Sequence, residues 1–369
     1  MPEQKINIFA ATVEHFLAPI AGFLHDDTVS EIMINRFDEV YIERGGKLTR
    51  TDVRFEDEAA LLAAVNNVLQ YTGKRLTSEH PLVDSRLPDG SRVHVVLAPL
   101  SRAGTCMTIR KFAKVGFNAA HLVELNTWTP QALEYVQSCV LAEKNILVAG
   151  GTSSGKTCLL NVLSSFIPAH QRIVVIEDSA ELDLQQDHLI SLESRLPDRW
   201  GRGEVSIADL FRSSLRLRPD RIIIGEVRGG EALDMIQAMT SGHGGSMSTL
   251  HANMPMDALN RLETLAMMNK VELPLHALRS QIASAIDVII QMTRFSSGQR
   301  KITAIAEVLP LGDDGRHRLR DIFAFGRDDR GRPTETLVWT GEVSAFADEP
   351  KVRTLTGTWQ HCSDIFAQA

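Results

Sequence analysis

The stretch VAGGTSSGKTCLL, Val148 to Leu160, carries two chemistries at once. Gly151-Thr152-Ser153-Ser154-Gly155 fits G-x-S-x-G, where a serine on a sharp strand-to-helix turn acts as a nucleophile. Gly150 to Thr157 fits G-x-x-x-x-G-K-[ST]. There the glycines let backbone N–H groups wrap phosphate oxygens, the lysine reaches the β- and γ-phosphates, and the hydroxyl ligates Mg²⁺. Both motifs sit between a strand and a helix, so local context is neutral. Lys156 and Thr157 decide the matter, because only the phosphate loop needs a lysine and a hydroxyl after its last glycine. Gly150, Gly151, Thr152, Ser153, Ser154, Gly155, Lys156, Thr157 and Cys158 are therefore read as nucleotide-binding positions, with the two serines as loop residues rather than nucleophiles.

A phosphate loop needs acids to become a catalyst. A strand ending in a carboxylate is expected beside the loop's own strand. Arg221 to Val227 (RIIIGEV) fits, with Glu226 as its acid. Gly225 stands where many such enzymes have an aspartate, so Glu226 suits a general base or a water-positioning role rather than direct metal contact. A second apolar run, VVIEDSAEL, ends in Glu177, Asp178 and Glu181, which places carboxylates at the ligand edge of an open α/β sheet. Glu181 reads equally well as a solvated residue at a helix start. Thr240 to Asn253 contains His243 and His251 without metal-ligand spacing and without a nearby cysteine. This argues against zinc and for a loop that returns His251 toward the phosphates. Two stretches are set aside. FSSGQR (Phe295 to Arg300) resembles an ABC-transporter signature but follows both the phosphate loop and the acidic strand. MNKVEL (Met268 to Leu273) has Glu272 where a guanine-reading motif has aspartate.

Elements that could position these residues follow from the pattern. Glu31 to Phe55 alternates apolar and polar residues around Gly45-Gly46, a hairpin signal. A helix is predicted over 57–71, then strand, Pro88-Asp89-Gly90 turn and strand, then a strand over Cys106 to Phe112. Residues 29–112 thus read as a small α+β domain with an antiparallel sheet, preceded by a helical extension over 1–28. A polar connection is predicted over 113–130. Beyond it, continuous apolar strands at 145–150, 172–178 and 221–227 alternate with helices, the pattern of a doubly wound α/β domain running to residue 369. The tail beyond Gly326 has little pattern.

The 369-residue chain is 44% hydrophobic and 23% charged, with a net charge of −7, which disfavours nucleic-acid binding over its whole surface. Cys106, Cys139, Cys158 and Cys362 form no C-x-x-C and read as free thiols of a reducing compartment. Ile8 to Leu24 is apolar but interrupted by Glu14 and His15, and reads as an amphipathic helix rather than a signal peptide. No run approaches the roughly 20 apolar residues of a membrane span. The expectation is a cytoplasmic protein with at most peripheral membrane contact.

With these residues in hand, the chain resembles the bacterial type II/type IV secretion ATPase superfamily. Within it the likeness is greatest to the CpaF-type ATPases of tight-adherence (Flp) pilus systems, then to the type IV secretion traffic ATPases. The phosphate loop, IEDSAELDLQQ, RPDRIIIGEVRGGEALDMIQAMTSGHGGS and STLHAN occur in the family's order within Val29 to Phe325. The family's Walker A falls on Gly150 to Thr157, its Asp box on Glu177 and Asp178, the end of its Walker B on Glu226, and its His box on His243 and His251. The resemblance implies a homohexamer whose subunits join a PAS-like N-terminal domain to a RecA-like ATPase domain. ATP would be the substrate and Mg²⁺ the metal, held at Thr157 and Glu177. Glu226, Glu177, Arg228 and His251 would serve catalysis, with Arg92 and Arg110 reaching the γ-phosphate from the N-terminal domain. An inner-membrane platform protein of a pilus or secretion system would be the partner, with no nucleic acid. Three departures stand out: Ser153 replaces a usual glycine, Cys158 replaces a usual hydroxyl, and the four-cysteine zinc module of type II enzymes is absent. The rival readings are a RecA-like DNA motor, disfavoured by the acidic balance, and a non-hydrolysing scaffold, disfavoured by Lys156 and Glu226.

Overall fold

Glycines at the tight turns and unbroken apolar strands set the architecture. In the computed structural model, the residues described are 12–77, 79–111, 118–195, 197, 201–271, 273–327, 333–355 and 358–367. The chain divides into two units, residues 1–116 and 117–369. Residues 1–11 of the expected extension over 1–28, and 113–117 of the expected connection over 113–130, lie outside the described residues.

In the first unit, among the described residues, six strands form one antiparallel sheet in the order β3-β2-β1-β6-β5-β4. These are β1 (Val29–Arg36), β2 (Glu39–Arg44), β3 (Lys47–Arg50), β4 (Leu82–Arg86), β5 (Arg92–Val96) and β6 (Cys106–Arg110). Gly45 and Gly46 turn β2 into β3 with φ of 56° and 78°, left-handed values that a side chain would strain. Helix α1 (Glu58–Tyr71) starts at Asp57, whose carboxylate accepts the Ala60 N–H at 2.8 Å. Its buried Leu61, Val65 and Val68 pack with Ile32, Val93 and Ile109 of the sheet. Alternation then sends the neighbours of Val93 and Ile109 to the opposite face. Arg92 pairs across with Arg110, and with Arg86 on its other side, so three arginines share one row that continues to Glu31.

In the second unit, among the described residues, nine strands form a mixed sheet in the order β15-β14-β13-β12-β7-β11-β10-β8-β9. Its parallel part comprises β12 (Val288–Arg294), β7 (Ile146–Gly150), β11 (Met247–Leu250), β10 (Arg221–Ile224), β8 (Ile173–Glu177) and β9 (Leu189–Glu193). Every residue of β7, β8, β10 and β11 is buried, as a strand covered on both faces requires. Ile146, Val148 and Val175 point into one core and Leu147, Ala149 and Val174 into the other. Helices α3 (Pro130–Leu141) and α4 (Lys156–Ser164) contribute to the first core; α5 (Ile207–Ser214), α6 (Glu231–Thr240), α7 (Pro255–Ala266) and α8 (Leu275–Ala285) contribute to the second.

Three expectations are corrected. The acidic strand β10 does not lie beside the loop strand β7, because β11 runs between them. The span 113–130 is not irregular throughout: α2 (Ala119–Glu124) is capped by Asn118, and Trp128 is buried with its indole N–H on Ala119 O. Among the described residues, the tail past residue 326 also carries regular structure. Strands β13 (Arg300–Leu309), β14 (Arg318–Arg327) and β15 (Pro333–Trp339) extend the sheet antiparallel. The chain then returns to α3, where the Glu134 carboxylate accepts N–H groups of Gln360, His361 and Cys362 at 2.6–2.7 Å. Among the described residues no helix is long and apolar enough to cross a membrane, and all four cysteines are free.

Candidate functional site

At Gly150 strand β7 ends against the neighbouring strand. A Cβ there would lie 2.5 Å from Ser154 Oγ and 2.7 Å from Met292 O, so only glycine fits. The loop then passes Ser153, with φ of 57°, and Gly155, with φ of 96°, before α4 begins. No side chain caps α4. Its first-turn N–H groups and positive dipole end therefore face out of the loop, as phosphate binding requires. Lys156 is buried, its Nζ 3.2 and 3.0 Å from the carbonyls of Gly150 and Gly151. An ammonium folded against an uncapped helix start fits a polyphosphate. Ser154 Oγ is buried with no hydrogen-bond partner among the described residues, as a loop-packing hydroxyl rather than an activated one. Burial pushes the Cys158 thiol up to about 11, so it is an inert residue of the first helical turn.

The interposed β11 turns out to be what assembles the site. Its C-terminal end delivers His251, whose Nδ1 lies 3.4 Å from Lys156 Nζ and whose Nε2 lies 3.0 Å from Glu226 Oε1. One imidazole thus spans the loop lysine and the acid two strands away. Burial, followed by the charge of Lys156, holds the His251 pKa below its ordinary value despite Glu226, so the ring is neutral near pH 7. Thr249 of the same strand grips the peptide flanking Glu226: its Oγ1 donates to Gly225 O at 2.6 Å, and its carbonyl accepts Val227 N–H at 3.0 Å. His243 sits before β11, at the opposite end of the strand, so the two histidines do not form one cluster.

A second acidic group completes the arrangement. Arg228 bridges Glu226 at 2.7 Å and Asp178 at 2.6 Å, and its bond to Glu226 raises its pKa further. Glu177, at the buried end of β8, accepts the N–H groups of Glu181 and Leu182 at 2.8 and 3.0 Å on one oxygen. That turn carries Glu181 to Thr157, whose Oγ1 donates to Glu181 Oε2 at 3.2 Å. Glu181 is therefore part of the site, not a solvated helix start. Thr157, Glu177, Asp178, Glu181, Glu226 and Arg228 line a recess at the C-terminal edge of the parallel strands. Gly225 has a reason to lack a side chain: a Cβ would stand 2.9 Å from Glu177 Cγ. Arg92 and Arg110 belong to the other unit and lie opposite each other on β5 and β6.

A family model for "Type II/IV secretion system protein" matches residues 14–329. The chain belongs to this family. A putative conjugal transfer protein of Mycobacterium tuberculosis is 35% identical over 77% of this chain and 82% of that one. The type IV secretion system protein VirB11 of Bartonella quintana is 31% identical over 81% of this chain and 94% of its own. Among solved structures, the ATPase DotB of Yersinia pseudotuberculosis shares the fold, with a TM-score of 0.54 at 20% identity over 84% of this chain and 80% of that chain. Membership in this secretion family, joined to the phosphate loop and the acids around it, makes the chain an ATPase with a RecA-like α/β domain.

Proposed function

We propose that ATP is hydrolysed at the recess between α4 and the ends of β8 and β10, and that hydrolysis powers a type IV-like pilus or secretion apparatus. The observation that carries this reading is the continuous line Lys156, His251, Glu226, Arg228, which joins a phosphate-binding loop to the half-buried acids Glu226 and Asp178. The loop residues Gly150 to Thr157 would wrap the β- and γ-phosphates. Glu226, held by Thr249 and Arg228, would orient and deprotonate the attacking water, while Arg228 offsets charge on the transferred phosphoryl group. His251, neutral beside Lys156, would keep Glu226 oriented. Among the described residues no group of three His, Cys, Asp or Glu side chains could hold a metal alone. Mg²⁺ would therefore be shared between Thr157, the acids Glu177 and Glu181, and the nucleotide's own phosphates, where it neutralises developing charge.

In this proposal the first unit is a PAS-like domain whose Arg92 and Arg110, two guanidinium forks on one sheet face, stabilise the γ-phosphate. Six copies complete one another's sites in a homohexameric ring, cytoplasmic and attached peripherally to an inner-membrane platform protein, with no nucleic acid bound. The tight-adherence branch is the preferred assignment within the family. The alternative, a type IV secretion traffic ATPase, is favoured by the names of the relatives above. The test is a nucleotide titration with Lys156→Ala. Loss of ATP affinity with an unchanged melting temperature supports the site, and wild-type affinity refutes it. Light scattering with saturating nucleotide tests the ring, which a monomer at micromolar concentration would contradict.

A further inference from the structure

The hairpin Phe295 to Arg300, set aside on sequence grounds, returns at the phosphate loop. Strand β12 lies parallel to β7 and ends at the same edge of the sheet. Its turn is closed by Phe295 N–H on Gln299 O at 2.8 Å, with Gly298 at φ of 87°. The first residue of β13 is Arg300, anchored by Thr127, whose Oγ1 donates to Arg300 O at 3.2 Å. From there the arginine side chain runs across the outer turn of the phosphate loop. Its Nε donates to Ser153 O at 3.0 Å, and its Cδ would lie 3.3 Å from a Cβ at Gly155. It therefore touches the loop's two left-handed residues, Ser153 and Gly155. Ser153 is the position where the family usually has glycine, and a side chain at φ of 57° carries strain that a glycine does not.

We infer that Arg300 is a positioning residue for nucleotide binding: it latches the Ser153 peptide in its left-handed conformation and so offsets the strain introduced by the serine. The inference rests on the ATP-site reading above. The latch holds a carbonyl, which leaves the loop's N–H groups directed at the phosphates. It acts on the loop in the same way whether ADP or ATP is bound, so it governs affinity rather than the chemical step.

The test uses the full chain, with a fluorescent ADP for affinity and phosphate release for kcat and KM, on Arg300→Ala, Ser153→Gly and the double variant. Arg300→Ala should weaken ADP affinity and raise KM by about tenfold, with kcat within about threefold of wild type, as loss of one charged hydrogen bond predicts. The affinity of Ser153→Gly alone is the reference against which the double variant is read. In the double variant the glycine should restore affinity to within about threefold, because the strain the arginine offsets is gone. Arg300→Lys serves as the probe if the alanine variant does not fold, and should fall between wild type and the expected loss. Wild-type affinity in Arg300→Ala, a double variant as weak as Arg300→Ala, or a fall in kcat at unchanged KM would each overturn the latch. Retained affinity in Lys156→Ala would instead overturn the ATP-site reading beneath it.

Discussion

Gly225→Ala tests how tightly the acids are packed. The added Cβ would meet Glu177 Cγ at 2.9 Å and Oε1 at 3.3 Å. Ordinary carbon contacts are about 3.5–4.0 Å, so the Glu177 side chain must retreat by about 0.6–1 Å. The strands cannot part to make room, because Gly225 N–H is bonded to Ile176 O at 2.9 Å. A retreat of that size stretches the bonds from Glu181 N–H and Leu182 N–H, now 2.8 and 3.0 Å, to the limit of hydrogen bonding. It therefore loosens the turn that brings Glu181 to Thr157. Overpacking should cost about 1–3 kcal/mol of stability. A displacement of about 1 Å among catalytic groups should lower turnover by about 10- to 100-fold. The phosphate loop lies on β7, two strands away, so ADP affinity should hold within about threefold. Phosphate release, an ADP titration and a urea melt on one preparation measure all three. Glu177→Ala should cost little more when added to Gly225→Ala, because both act on the same carboxylate. Wild-type turnover in Gly225→Ala, or strict additivity with Glu177→Ala, would refute this account of the acid pair.

Other outcomes follow from the same geometry. Arg110→Ala in the full chain should leave ADP affinity nearly unaltered and cut turnover by about 10³–10⁵, if it acts like an arginine finger; near wild-type phosphate release would make it a surface cation. His251 has a depressed pKa, so below pH 6.5 the unfolded chain binds protons that the folded chain refuses, and stability falls as pH falls through that window. His317 is shifted the same way by burial, so the informative quantity is a difference: His251→Gln should lose less melting temperature than wild type between about pH 7.5 and 5.5. Equal losses would remove His251 from the pH response. Glu134→Ala strips the acceptor from three backbone N–H groups of the C-terminal segment, and at about 2 kcal/mol should lower the melting temperature by about 4–8 °C. An unchanged melt would mean that the segment is held by its apolar contacts alone.

The parts of this protein readable from sequence are those in which chemistry dictates residue type locally. A phosphate loop must place glycine, lysine and threonine at fixed offsets, so Gly150 to Thr157 announces itself, and a strand buried on both faces must be apolar throughout, as at 173–177 and 221–224. Strand order is not local. Nothing in 221–227 reveals that β11 intervenes, yet that strand is what brings His251 between Lys156 and Glu226. The contribution of Glu181 depends on a turn closed by Glu177, four residues earlier, and its carboxylate has no distinctive neighbours in sequence. Arg300 is 147 residues from the peptide it touches, inside a hairpin whose sequence suggested a different family of transporters. The C-terminal segment reads as weakly patterned because polar contacts to Glu134 and Glu307 hold much of it, rather than a periodic apolar stripe. Glu307 is fully buried and bonds Tyr135 OH at 2.7 Å and Ala345 N–H at 2.8 Å. Thr249 carried a signal that could have been used: it lies within STLHAN, two residues before His251, and its hydroxyl holds the peptide beside Glu226.

One site, from Lys156 through His251 to Glu226, is proposed to hydrolyse ATP. The most direct measurement is phosphate release by the wild-type chain and by Glu226→Gln, each with its ADP affinity measured alongside. ATP-dependent release is expected from the wild-type chain. Glu226→Gln should lose about 10²–10⁴ in turnover at unchanged affinity, since the amide keeps the shape of the acid but cannot take a proton. Wild-type turnover in Glu226→Gln, or no phosphate release from the wild-type chain with ATP and Mg²⁺ supplied, would contradict this proposal.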